Sequence, residues 1–234
     1  MVRVLAQEGS WLQIATWLGA RWIYLQPPQP GEWLIALTFD DGPSTYTELL
    51  LDALAERGVP ATFFVLGWRV TANPEIARRI VDEGHEIAFH GYTHRQFTRL
   101  GAAGIRDQLS RSRDVIYATT GATPTILRPP YGARNATVQS VAAEWGLPIV
   151  LWTVDTRDWE TRNVDAILGH FVDPYGAVRI RPGDNILMHD IYPTTIEAAI
   201  YALDLLLARG FTFVTVSDLL TERHGTLTPG GVYR

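Results

Sequence analysis

Two histidines stand four positions apart in His90-Gly91-Tyr92-Thr93-His94. That spacing brings both imidazoles to one side of the chain if the segment turns helically, and imidazole nitrogen is a common ligand for divalent metal ions. By itself such a pair serves a structural or surface role as often as it holds a metal. The adjacent acids Asp40-Asp41 shift that balance. Neighbouring carboxylates in a confined site repel, and a bound cation relieves the repulsion while leaving one of them free to accept a proton. On this reading Asp41 joins His90 and His94 as a ligand and Asp40 does the proton chemistry. Turn formation accounts for Gly42 and Pro43, but poorly for two acids directly after Leu37-Thr38-Phe39.

Hydrolysis of an acyl bond needs a base for water, an acid for the leaving group and partners that orient both. Asp40, His189, Arg128 and Asp158 cover those roles. Each has a plainer alternative: Arg128 as a surface charge, His189 as a satisfied core histidine. Arg128 nevertheless precedes Pro129-Pro130, a pair that would hold it stiffly. His85, His170 and His224 are assigned to ordinary structural roles.

These residues need a scaffold that gathers them. From Trp33 onward, short β-rich runs alternate with helical stretches, the pattern of parallel strands with crossover helices. Strands read at 33–39, 61–66, 85–89, 125–127, 148–154, 185–188 and 211–214, and helices at 47–57, 74–83, 105–119, 137–145, 164–171 and 196–209. Seven strands with intervening helices predict an α/β barrel more than an open sheet. In such barrels chemistry gathers where the strands end. Here Asp40-Asp41, His90, Arg128, Asp155 with Asp158, and His189-Asp190 each follow a strand.

A length of 234 residues suits one such domain. A net charge of −5 gives no electrostatic reason to expect a nucleic-acid partner. With no cysteine, thiolate metal sites and disulfides are excluded, so any metal rests on His, Asp or Glu. All 20 basic residues are arginine, which excludes lysine Schiff-base chemistry. The eight tryptophans offer flat faces for sugar rings, though core packing is their commoner use. No apolar run is long enough to span a bilayer. Residues 1–30 stand apart: an apolar stretch from Trp11 to Leu25 predicts a leader helix packed on the domain, and Gln26-Pro27-Pro28-Gln29-Pro30 a linker. Gln13 and Arg21 interrupt the apolar run and no small-residue cleavage site follows, so it is a poor signal peptide.

In order along the chain, Thr38-Phe39-Asp40-Asp41-Gly42, His90 with His94, Arg128 with Pro130-Tyr131, Asp155 with Asp158-Trp159, and Leu187-Met188-His189 resemble the five motifs of the polysaccharide deacetylases. This is carbohydrate esterase family 4, also known by its NodB homology domain. The resemblance runs from about Leu34 to Leu220. It implies a single-domain, distorted (β/α)7 TIM-like barrel, with the catalytic domain over 31–224 and a C-terminal tail over 225–234. It further implies one divalent ion on Asp41, His90 and His94, zinc first and cobalt, nickel or manganese as alternatives. Asp40 would be the general base held by Arg128, and His189 the general acid tuned by Asp158. The Tyr131 amide would face the oxyanion, and Trp159 and Leu187 would wall the acetyl pocket.

The resemblance departs at Ala88-Phe89-His90-Gly91, where the family usually has Gly-Asn-His followed by Ser or Thr. The hydroxyl that commonly braces the metal loop is thus missing at Gly91, which implies altered metal geometry or affinity. The implied partner is an acetylated carbohydrate, whether peptidoglycan, chitin, chitooligosaccharide or xylan, and the implied location is outside the cytoplasm. The alternatives are a related barrel hydrolase of cyclic amides or a catalytically weak carbohydrate-binding protein. A non-haem iron oxygenase shares the two-histidine, one-carboxylate set but needs no such acid and base. A glycosidase needs its two acids across a glycosidic bond, which adjacent residues cannot supply.

Overall fold

The computed structural model describes the backbone of Arg3–Glu8, Trp11–Thr16 and Gly19–Tyr24 and the whole of residues 33–234. The first three segments are strands β1 (Arg3–Glu8), β2 (Trp11–Thr16) and β3 (Gly19–Tyr24), paired as an antiparallel meander in that order. This corrects the expected leader helix. The register pairs Glu8 with Trp11 and Thr16 with Gly19, and the intervening sequence Gly9-Ser10 is of the kind that favours hairpin pairing over a continuous helix. The strands are also rich in aromatic and β-branched residues, which a helix restricts at χ1 and a pleated sheet accommodates. The proline-rich linker lies outside the described residues.

The domain opens on β4 (Leu34–Asp40), of which every residue after Leu34 is buried. A run apolar on both faces fits a strand covered on both sides, and β4 pairs in parallel with its neighbours. There follow α1 (Thr47–Arg57), β5 (Thr62–Val65), α2 (Gly67–Ala72), α3 (Pro74–Asp82), β6 (Glu86–Phe89), α4 (Ala102–Thr120) and α5 (Ala136–Glu144). Then come β7 (Ile149–Val150), β8 (Val154–Asp155), α6 (Asp158–Thr161), α7 (Val164–Leu168) and β9 (Asn185–His189). The chain closes with α8 (Pro193–Ala208), β10 (Thr212–Phe213), α9 (Val216–His224) and β11 (Val232–Tyr233).

The sheet runs β6-β5-β4-β9-β8, all parallel, with β10 also on β4. Parallel bridges from Phe89 to Leu127 and from Leu127 to Ile149 carry the pairing from β6 on to β7, which pairs with β11. Because β7 and β8 lie on one stretch of chain, the pairings lead back to β9 and β4. This is the α/β architecture expected, and its pairings fit a distorted barrel. Two strands differ from expectation. The run at 125–127 pairs only at Leu127, between Pro124 and Pro129, residues that cannot donate to a ladder. The run at 148–154 breaks into β7 and β8, where the carbonyls of Val150 and Leu151 turn to Arg128. Helix α9, capped by the Thr215 hydroxyl, had no counterpart in the sequence reading. Among the described residues no helix is long and apolar enough to cross a membrane.

Candidate active site and metal centre

The register of the central strands assembles the site. Asp40 ends β4 directly opposite His189 at the end of β9, so two side chains far apart in sequence become neighbours. Immediately after, the Asp41 N–H donates to the Phe64 carbonyl at 3.2 Å and the Leu66 N–H to the Gly42 carbonyl at 3.0 Å, hanging this turn on β5. Asp41 takes a positive φ of 74°, and the Gly42-Pro43 peptide is cis. Gly42 has no room for a side chain: a Cβ there would lie 2.2 Å from the Asp190 carboxylate. Asp190 is wholly buried, accepts from the Thr47 hydroxyl at 2.6 Å, and is pushed up to about 7 by burial.

His90 and His94 do come together, though by a different turn from the helical one expected. His90 directly follows β6, Gly91 takes a φ of 86°, and His94 itself lies in the left-handed region at 56°. Non-glycine residues with positive φ are costly and gather at functional sites. Gly91 suits its place because a Cβ there would sit 3.1 Å from the ring of buried Phe97. The loop lacks the serine or threonine hydroxyl of the wider pattern, and Gln108 on α4 holds it. Its Oε1 accepts from the Tyr92 and Thr93 amides at 3.0 and 2.9 Å and from the Thr93 hydroxyl at 3.2 Å.

One carboxylate oxygen of Asp41 and one nitrogen from each histidine lie within 4.8 Å of one another. Asp41 Oδ1 is 3.5 Å from His90 Nε2 and 3.3 Å from His94 Nε2. Two features fit this set to a cation. Asp41 Oδ1 is buried with no hydrogen-bond partner among the described residues, a costly state unless something positive meets it. His90 Nδ1 lies 2.7 Å from the Arg128 carbonyl, an acceptor only, so the proton sits on Nδ1 and the Nε2 lone pair faces Asp41. Burial lowers the His90 pKa to about 3, which keeps the ring neutral as a ligand must be.

Arg128 is fully buried, contrary to the surface alternative. Its Nη1 donates to Asp40 Oδ1 at 2.7 Å and to the Thr38 hydroxyl at 2.8 Å, while Nε and Nη2 take the Val150 and Leu151 carbonyls. The face of Phe64 lies 4.0 Å from the guanidinium carbon. Binding Asp40 through Oδ1 leaves its Oδ2 toward the histidines, 3.6 Å from His90 Nε2. Burial raises the Asp40 pKa, opposed by the charges of Arg128 and His189.

His189 is paired as firmly. Its Nδ1–H donates to Asp158 Oδ1 at 2.8 Å, and its backbone N–H to Asp158 Oδ2 at 2.7 Å. The Thr195 hydroxyl donates to the same Oδ2 at 2.8 Å, so buried Asp158 cannot rotate away. Burial alone would lower the His189 pKa, but the Asp158 hydrogen bond and charge, helped by Asp40 and Asp41, raise it to about 9. Tyr131 adopts a φ of 63° in the turn after Pro130, and its exposed ring lies 4.5 Å from that of His94. Trp159 is half-exposed beside Asp158, and Leu187 lies buried in β9 before His189. Asp155 instead makes an ordinary turn, accepting the Arg157 N–H.

Sequence reasoning missed Gln108, Thr195 and Asn185, the last accepting from Arg128 and donating to the Leu151 carbonyl at 2.5 Å. The signal for Gln108 was a polar residue on the stripe formed by Ile105, Leu109, Ser112 and Ile116, all buried on α4. A long polar side chain on an inward face needs a buried partner.

Residues 28–150 match the family model described as Polysaccharide deacetylase. The peptidoglycan-N-acetylglucosamine deacetylase PgdA of Listeria monocytogenes is 41% identical over 190 residues, 81% of this chain and 39% of that protein. The chain thus spans well under half the length of that relative. The chitooligosaccharide deacetylase of Bradyrhizobium sp. is 39% identical over 193 residues, covering 76% of this chain and 86% of that one. The structure of peptidoglycan deacetylase PdaC from Bacillus subtilis superposes with a TM-score of 0.77 at 37% identity, covering 84% and 94% of the two chains. With the motif residues gathered at one end of the parallel strands and these matches spanning most of its length, the chain belongs to the polysaccharide deacetylase family.

Proposed function

We propose that this chain is a metal-dependent hydrolase that removes acetyl groups from N-acetylated amino sugars of a cell-wall or chitin-type glycan. It would act outside the cytoplasm, where such polymers lie. The observation that carries the reading is the cross-strand pair Asp40 and His189, set in register beside a three-residue cation site. A divalent ion held by Asp41, His90 and His94 would supply Lewis-acid charge at the scissile carbonyl. The nitrogen and oxygen donors suit zinc first, with cobalt, nickel or manganese as substitutes.

The chain's own residues divide the remaining work. Asp40 takes a proton from the attacking water through Oδ2, while Arg128 fixes Oδ1 so the base cannot turn away. Burial makes Asp40 a stronger base than an exposed carboxylate. The Tyr131 amide, turned by its left-handed backbone, faces the developing oxyanion, which it stabilises more than the neutral carbonyl. His189, kept protonated by Asp158, hands its Nε2 proton to the departing nitrogen. Trp159 and Leu187 wall the space for the methyl group. The products are acetate and a free amine.

The test is acetate release from N-acetylated and O-acetylated glycans by metal-stripped and metal-reloaded protein. Activity lost on stripping and restored by zinc on the amino-sugar polymers is expected. Full activity in the stripped protein refutes the metal role, and release from no glycan refutes the function.

A further inference from the structure

The cleft beside His94 carries positive charge that no step of this chemistry uses. It measures about 490 Å³ and is lined by His94, Arg95, Gln96, Arg99, Leu100 and Tyr131. It therefore starts at a ligand of the cation site and at the residue turned toward the oxyanion, and it ends at two exposed guanidiniums. No carboxylate lines it.

Arginines elsewhere among the described residues divide evenly between paired and unpaired, so it is the placement of these two at the site, with no carboxylate beside them, that matters. Arg57, Arg78, Arg79, Arg106, Arg111, Arg113, Arg128 and Arg157 each meet a carboxylate, whereas Arg95 and Arg99 meet none among the described residues. In a chain of net charge −5, two unpaired cations at one rim of the site are a local reversal of sign. The backbone that carries them is anchored. Fully buried Phe97 lies between them, and the 3-10 turn Phe97–Arg99 is closed by the Arg99 N–H on the Gln96 carbonyl at 3.0 Å. A neutral amino-sugar chain gains little from such a pair. A carboxylate gains a charge-assisted, planar contact from each guanidinium.

Taking the deacetylase reading as its basis, we propose that Arg95 and Arg99 form an anion-selecting subsite beside the reacting acetyl group. The preferred substrate is then an acetylated glycan that carries carboxylates near the sugar being deacetylated. Either an acidic ether substituent on the sugar or an attached peptide supplies the same chemistry.

The test compares initial rates of the metal-loaded chain on four oligosaccharides of equal length. These are a neutral N-acetylglucosamine chain, one in which alternate sugars bear free lactyl carboxylates, that chain with the carboxylates amidated, and a peptide-bearing version. The wild type should favour a carboxylate-bearing chain over the neutral and amidated ones about fivefold to tenfold in kcat/KM, through KM, as expected for two solvent-accessible charge pairs. Added salt should narrow the gap. Arg95→Gln with Arg99→Gln should erase the ratio, with the thermal midpoint checked for an intact fold. A preference confined to the peptide-bearing chain assigns the carboxylate to the peptide and still supports the subsite. Equal KM values on all four chains, or a double variant that keeps the wild-type ratio, overturn it. If the wild type releases acetate from none of the four, the deacetylase reading fails instead. Calorimetric binding of the free and amidated chains then decides the subsite, equal affinities overturning it.

Discussion

Replacing Asp158 by Asn separates a tuned acid from a residue that merely occupies the site. In the structure Asp158 Oδ2 receives two donors, the His189 amide and the Thr195 hydroxyl, and Oδ1 receives the His189 Nδ1 proton. An asparagine must keep its oxygen at the Oδ2 position, because the backbone N–H cannot be reversed. Its NH2 group then faces Nδ1, where it opposes a second ring proton and so opposes the imidazolium. His189 stands at about 9, above its ordinary 6.5, because Asp158 outweighs burial. That difference corresponds to about 3 kcal/mol of preference for the charged ring. A raised pKa keeps the acid protonated below it, so the wild-type profile of kcat/KM should fall only as pH rises through about 9. In Asp158→Asn the falling limb should move to about 6.5 or lower, the value of a histidine without its partner. At pH 8 the protonated fraction then drops from about nine-tenths to ~3%, a loss of roughly 30-fold, whereas at pH 6 it changes less than about twofold. The assay is acetate release from an N-acetylated chitooligosaccharide across pH 5 to 10, with circular dichroism confirming the fold. A loss of the same size at every pH, with the limb unmoved, would show that Asp158 only positions the ring.

The remaining predictions concern the acids and the loop brace. Asp40→Asn should retain the metal and lose ~10² to 10⁴-fold in rate, the usual cost of removing a positioned base, while Asp41→Asn should lose metal. Elemental analysis of both variants checks this, and equal metal contents would undo the division of labour. Gln108→Ala removes the acceptor of three loop hydrogen bonds and should weaken metal affinity by ~10 to 100-fold. Competition with a chromophoric chelator measures it, and unchanged affinity would mean that Gly91 and Phe97 hold the loop without help.

The legible part of the site was the part written in local chemistry. Asp40-Asp41 after an apolar run, a histidine pair, and ionisable residues at the ends of β-rich segments needed no knowledge of packing to stand out. So did the alternation of strands and helices from Trp33 onward, because parallel strands covered on both faces are mostly apolar, as β4 is over Leu34–Leu37. The leader was misread for the same local reason. Its apolar stretch was compatible with either element, and the choice fell to hairpin pairing between β1, β2 and β3, a non-local matter.

By itself the sequence determined the residue inventory: which groups could bind a cation, which could move protons, and that no thiolate or lysine could share the work. Tertiary structure alone decided their states. Register placed His189 opposite Asp40, and burial made Arg128 a fixed partner in place of a surface charge. The Arg128 carbonyl chose the tautomer of His90, and Gln108, from a helix that no motif includes, holds the loop between His90 and His94. Residue types are local, whereas desolvation and hydrogen-bond partners depend on chain segments many residues away. A carboxylate or an imidazole acquires its working pKa and orientation only when those segments close around it.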